Sequence, residues 1–197
     1  ILQLVANEEK AKILTNFDHP FGTKRPALDT EYYETFNKEN VTLVDIREEP
    51  IEKITFGGIK TSKSDYKLNT IVFATGYDAL TGSILKINIK GRNGINLADI
   101  WKNGPKTYLG LQVHGFPNLF FITGPGSPSV LTNMPQAIDQ NVSWITTCIA
   151  FMNSKKMSTI EADEQAMNRW TKEVQDAVAR TLFLDANHSW YLGANIP

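Results

Sequence analysis

The chain has almost nothing from which to build a covalent or metal framework. Its single cysteine, Cys148, excludes an intramolecular disulfide, and three scattered histidines leave no zinc-ligand spacing, so a reducing cytoplasm is the default setting. No apolar run approaches the roughly 18 residues that a membrane helix needs, and the N-terminus carries no basic segment followed by an apolar one. An excess of charge of one sign is also missing. With 20 Lys and Arg against 21 Asp and Glu, and no run of five like charges, neither nucleic acid nor an anionic membrane is an expected partner. Most telling, no G-x-G-x-x-G sequence occurs, and that is the turn that seats a dinucleotide pyrophosphate on a helix N-terminus. The chain starts at Ile1 rather than Met and is expected to be a fragment.

What is present suits a globular α/β protein: 197 residues, of which 42% are hydrophobic and 21% charged. A loose helical period runs from Ile1 through Leu4, Val5, Ile13 and Leu14, and TEYYETFN (Thr30 to Asn37) reads as a short helix with an aromatic face. The period then shortens. Strands are expected at Val41 to Ile46, at Glu52 to Thr55 and Ile59 to Thr61 about the turn Gly57-Gly58, and from Tyr66 to Phe73. Lys86 to Ile89 and the apolar NLFFIT (Asn118 to Thr123) complete the set, the latter as a buried strand. Beyond them, Pro135 suits a first helical turn, and Ile138, Val142, Ile145, Ile149 and Met152 form an apolar stripe, with Cys148 beside it as an inert core thiol. A second helix is expected to start near Ser158 to Asp163, where Ser158 and Glu161 have capping-box spacing, and to bury Trp170.

Several stretches can carry chemistry, each with a plainer reading beside it. TIVFATGYD and FFITGPGSPS both end an apolar run on glycine, as strands do at the rim of a nucleotide crevice, though a tight turn gives the same letters. In GTKRP, Lys24 and Arg25 are adjacent cations between a glycine and a proline. They suit a phosphate and an oxyanion respectively, or they form a solvated basic turn. Trp190, in a loop rich in glycine and asparagine, either covers a planar cofactor or plugs the core. His114, with no second ligand at metal spacing, reads as structural or as a surface residue.

Taken in order, GTKRP, YYETFNKENVTLVDI, FATGYDALTG, TYLGL, GFPNLFFITGPGSPSVLTNMP and SWYLGANIP resemble the C-terminal portion of the Baeyer-Villiger monooxygenases, the group that includes cyclohexanone and phenylacetone monooxygenases. The resemblance covers nearly all of the chain from Phe21 onward. It implies a two-domain Rossmann-type flavoprotein, present here in part, with a small β-meander, buried strands and C-terminal helices. Residues 1 to 23 would end an inserted helical region, 24 to 67 return to the NADP domain, and 68 to 197 return to the FAD domain. Both glycine fingerprints would lie upstream of Ile1.

The reaction implied is insertion of one atom of O2 beside a ketone carbonyl, at the expense of NADPH and through FAD, giving an ester or lactone. Arg25 matches the family's active-site arginine, which stabilises the anionic oxygen adduct of the flavin. Lys24 matches the lysine that recognises the 2′-phosphate of NADP, and Trp190 a tryptophan on a loop that closes over NADP. Thr75, Gly76, Tyr77 and Asp78, together with the loop from Gly124 and Pro125 to Met134, would face the flavin, and Val130 and Leu131 would line the ketone pocket. No metal is implied. Alone, the chain is expected to be catalytically silent and to self-associate through apolar faces. The rival readings are a flavin monooxygenase that oxygenates nitrogen or sulfur, and a non-catalytic interaction module.

Overall fold

A computed structural model of the chain describes residues 1–15, 18–127, 133–186 and 189–193. It is a mixed helix and sheet structure that divides into two compact units. The first comprises Ile1–Asp18 and Arg25–Gly76, the second His19–Lys24 and Tyr77–Pro197.

In the first unit, a three-stranded antiparallel meander runs in the order β1 (Ile51–Thr55), β2 (Gly58–Thr61) and β3 (Asp65–Lys67). The Gly57-Gly58 signal is what closes the first hairpin, with Thr55 opposite Gly58 and Ile54 opposite Ile59. Gly58 has φ +149°, and a Cβ there would come within 1.8 Å of the Tyr66 carbonyl oxygen on β3, so only glycine lets the strands meet. The sheet is fastened to the preceding turn by Glu49, whose carboxylate accepts from the hydroxyls of Thr61 (2.5 Å) and Tyr66 (3.1 Å). Those bonds, the Thr61 one first, hold the Glu49 carboxyl below the usual carboxylate range.

Helix α1 (Glu8–Leu14) is capped by Asn7, whose side chain accepts from the Lys10 amide. Lys10 donates its ammonium to the carbonyls of Phe36 and Val41, both at 2.9 Å. Asn37, ending the 3-10 turn Glu34–Asn37, exchanges bonds with Ala6 and Leu4. The expected strand at Val41 to Ile46 is therefore not a strand. The Val41 carbonyl, a ladder acceptor in a sheet, is taken by a lysine, and the chain turns at Asp45.

The second unit has a core of Leu97, Trp101, Val113, Phe116, Phe121 and Met167. Around it lie short helices α2 (Gly82–Leu85) and α3 (Leu97–Ile100), then the long α4 (Met134–Ser154) and α5 (Glu164–Val178). The two long helices stand where their 3.6-residue stripes predict. The α4 stripe, however, is buried only at Met152, while Ile138, Val142 and Ile149 remain exposed.

Two expected buried strands are corrected. Of the expected strand from Tyr66 to Phe73 only the start is paired, in β3, while Thr70 to Phe73 joins no ladder among the described residues, with Val72 83% and Phe73 68% exposed. Asn118 to Thr123 also forms no ladder: Phe121 donates to Leu111, Thr123 donates to the side chain of Asn141 on α4, and only Phe121 of the run is buried. A strand needs a partner's N–H and C=O groups as well as β-prone letters, and neither segment finds a row of them. Lys86 to Ile89 lies in the turns after α2 rather than in a strand.

The expected capping box is also corrected. Asp163 caps α5, accepting from the Ala166 amide at 2.9 Å, and Glu161 is used elsewhere. Glu161 accepts from the Gly115 amide (2.7 Å) and the Arg92 guanidinium (2.6 Å), joining two turns of the core to the segment that leads into α5. The Arg92 bond first, and the Gly115 amide second, hold its carboxyl below the usual carboxylate range. A depressed folded value contributes stability that is present above the ordinary carboxylate range and is lost as pH falls through the folded value. Glu161→Gln is expected to cost about 1–2 kcal/mol near neutral pH and to flatten the acid side of the stability curve. Thermal melts of both proteins between neutral and acid pH would show it, and parallel curves would refute this role.

Candidate functional site

The structure places the basic turn first. Thr23 is buried and lies in a tight turn, its amide and its hydroxyl both bonding to the Pro20 carbonyl, at 3.2 and 2.6 Å. Lys24 follows half-buried and closes the His19–Lys24 segment of the second unit, while Arg25 opens the next segment of the first unit, exposed.

At the far end of the chain, Trp190 begins a 3-10 turn, Trp190–Leu192, that stops on Gly193 in the left-handed conformation. The tryptophan is 36% exposed and its ring meets Tyr191 edge-on at 4.4 Å, while Tyr191 packs in turn on Phe183 at 5.4 Å. Trp190 is therefore a surface aromatic with one flank supported and not a core plug. The residue before it, Ser189, has no exposed surface and donates its hydroxyl to the Thr23 carbonyl at 2.7 Å. That bond brings the turn before Lys24 and the loop of Trp190 together across 166 positions of sequence.

The loop Gly124-Pro125-Gly126 is rigidly held within the second unit. Gly124 donates to the Gly110 carbonyl at 3.2 Å, Pro125 accepts from the buried Thr107 hydroxyl at 2.6 Å, and Gly126 accepts from the Trp170 indole at 3.2 Å. A Cβ on Gly124 would stand 2.4 Å from the Gly110 oxygen, so glycine is required there by the packing of TYLGL against this loop, whatever else the loop touches. Met134 opens α4 with its side chain exposed. Val130 and Leu131 lie outside the described residues.

Thr75 and Gly76 end the first unit and Tyr77 and Asp78 begin the second. Thr75, Gly76 and Tyr77 are exposed, Tyr77 to 93%. Gly76 has φ +84° and open space where a Cβ would be, a backbone that a ligand can approach closely. Asp78 is paired with Lys86 across α2, an approach that Gly82 permits.

An open cleft of about 520 Å³ is lined by Arg92, His114, Phe116 and Glu161, among others, and by none of the residues that the family resemblance assigns. His114 shares a hydrogen bond with the Ala162 carbonyl at 3.0 Å and is structural. Among the described residues, no three His, Cys, Asp or Glu side chains are grouped to hold a metal, and no helix is long and apolar enough to cross a membrane.

The cofactor fit is partial. A lysine and a flanked surface aromatic whose chain neighbours, Thr23 and Ser189, share one hydrogen bond suit a phosphorylated, planar ligand. The accessible Gly76 suits backbone contact with another, but the sequence holds no G-x-G-x-x-G to seat a pyrophosphate.

Sequence reasoning missed Thr23 and Ser189, because loop residues have no period. The available signal was a small hydroxyl directly before the tryptophan. It also missed the clamp made by Glu161, whose spacing from Ser158 mimics a cap.

No family model matches the chain, but individual proteins do. It is 44% identical over 190 residues, 96% of its length, to 2-oxo-Δ3-4,5,5-trimethylcyclopentenylacetyl-CoA monooxygenase of Pseudomonas putida. It is 40% identical over 175 residues, 88% of its length, to cyclohexanone 1,2-monooxygenase of an Acinetobacter species. The solved structure of OTEMO in complex with FAD and NADP covers 95% of the chain at 44% identity with a TM-score of 0.92. The chain spans 35%, 32% and 35% of those three proteins, about a third of each. Its fold is thus that of a portion of the flavin monooxygenases with Rossmann-type domains. More narrowly, the relatives at 38–44% identity that cover about all of this chain include Baeyer-Villiger monooxygenases, the family the chain belongs with, and, at 38%, a phenazine N-monooxygenase of Lysobacter antibioticus.

Proposed function

We propose that the chain is the part of a Baeyer-Villiger monooxygenase that recognises NADPH through Lys24 and Trp190 and supplies the active-site arginine, Arg25. The complete enzyme uses FAD, NADPH and O2 to convert a ketone to an ester or lactone in the cytoplasm. The observation that carries this reading is the close match of 95% of the chain to a solved structure in complex with both FAD and NADP. The stretch from Lys24 to Lys67 is read as NADP-domain sequence and that from Leu68 onward as FAD-domain sequence. The compact units divide a little later, after Gly76.

When bound, the flavin would supply oxygen activation. The residues of this chain would bind and orient. Lys24 would place a compact cation against the 2′-phosphate, Trp190 would cover the nicotinamide nucleotide, and Arg25 would hold a fixed donor fork toward developing negative charge. Thr75 to Asp78 and the loop from Gly124 to Met134 would border the flavin, with Val130 and Leu131 toward the ketone.

The test is to offer the complete enzyme cyclic ketones and tertiary amines side by side, following NADPH consumption and product by mass spectrometry. Lactones are the expected products. N-oxides with no lactone would move the chain to the nitrogen-oxygenating monooxygenases.

A further inference from the structure

We propose that Ser189 is a positioning residue for NADP recognition: its buried hydroxyl locks the Trp190 loop to the Thr23 carbonyl and thereby fixes Lys24, the next residue, for the 2′-phosphate. The inference rests on the reading of Lys24 given above. Ser189 has no exposed surface and Thr23 is 3% exposed, so the 2.7 Å bond is shielded from water, and its loss takes a donor from a buried carbonyl. The carbonyl belongs to the peptide that leads into Lys24, so what the hydroxyl holds is the backbone from which the lysine side chain departs.

The rest of the turn is fixed independently. The Thr23 amide and hydroxyl are both committed to Pro20, which leaves the carbonyl side as the part whose orientation depends on the loop. On the other side of the bond, Ser189 precedes the 3-10 turn of Trp190 and accepts from the Leu192 amide through its own carbonyl at 3.0 Å. One hydroxyl therefore makes the phosphate-recognising lysine and the covering tryptophan parts of a single assembly. Trp190 cannot be displaced with its turn intact without either breaking this bond or pulling on the Lys24 peptide.

The experiment is equilibrium binding of NADP+ and of NAD+ to the complete FAD-loaded enzyme by titration calorimetry, for the wild type, Ser189→Ala, Lys24→Ala and the double variant. Ser189→Ala is expected to lower the preference for NADP+ over NAD+ about fivefold to tenfold, with the double variant no less selective than Lys24→Ala alone. A merely structural role would weaken both nucleotides together and leave their ratio unchanged, and that result overturns the inference. If Ser189→Ala does not fold, Ser189→Cys keeps the shape with a much weaker donor and is expected to shift the ratio in the same direction. An unchanged preference in Lys24→Ala would instead overturn the reading of Lys24 and the inference with it. A reduced preference in Lys24→Ala beside an unchanged one in the serine variants would overturn the inference alone.

Discussion

Arg25→Ala in the complete monooxygenase is expected to lower ester formation by about 10²- to 10³-fold, the usual cost of removing a preorganised donor aimed at developing negative charge. Flavin reduction by NADPH should persist. The physical basis is the guanidinium itself: it carries charge at every relevant pH and presents its donors in a fixed plane. It also sits between Lys24 and Pro26, where the proline fixes its own φ and biases the backbone of the residue before it. The proline therefore restricts the backbone from which the arginine side chain departs. Arg25→Lys keeps the charge and loses the fork, so it should recover little of the ester-forming rate. Stopped-flow absorbance separates the two half-reactions, and product analysis measures the ester. If flavin reduction collapsed with ester formation, the arginine would belong to NADPH binding. If neither changed, it would have no role in the reaction.

How much of this was legible in the sequence depends on the range over which each feature is determined. The hairpin at Gly57-Gly58 and the helices α4 and α5 are set within a few residues by turn chemistry and by 3.6-residue periodicity, and they form where those patterns lie. The apolar runs Thr70 to Phe73 and Asn118 to Thr123 have strand letters, but strand formation is decided by partners elsewhere, and the described residues do not supply a ladder for either. Capping is a local competition, and at α5 Asp163 wins it because it stands three residues before the Ala166 amide, which frees Glu161 to clamp Gly115 and Arg92.

The candidate site was legible in its charged and aromatic residues, which stand out by type. The support beneath them was not, since a serine and a backbone carbonyl separated by 166 positions leave no trace in any window of sequence. The glycines divide in the same way. Gly124 marks a conspicuous loop, yet its packing requirement comes from Gly110, which no inspection of TGPGSP would reveal.

Purified by itself, the chain is expected to be colourless and to bind neither FAD nor NADPH measurably. A dinucleotide is held largely by its pyrophosphate, through backbone amides of a glycine-rich turn at a helix N-terminus. No G-x-G-x-x-G occurs in the 197 residues. On the proposed reading, the chain would offer a flavin the exposed Gly76 backbone and the Gly124-Pro125-Gly126 loop, and NADP Lys24 with one flanked tryptophan. Each would be a side contact that adds selectivity once a pyrophosphate is seated, and none would replace the seat. The apolar side chains left on the surface make a competing demand. Val72 and Phe73 are largely exposed, and Ile138, Val142 and Ile149 along α4 keep about two fifths of their surface in water, and such apolar surface favours self-association. Absorbance of the purified chain near 450 nm after incubation with excess FAD and desalting tests the first expectation, and sedimentation velocity over a concentration series tests the second. A yellow protein retaining stoichiometric flavin would show that the side contacts suffice without a glycine-rich turn. A concentration-independent monomer would show that the exposed faces are tolerated as they stand. Because flavin binding and self-association draw on different surfaces, either expectation can fail without the other.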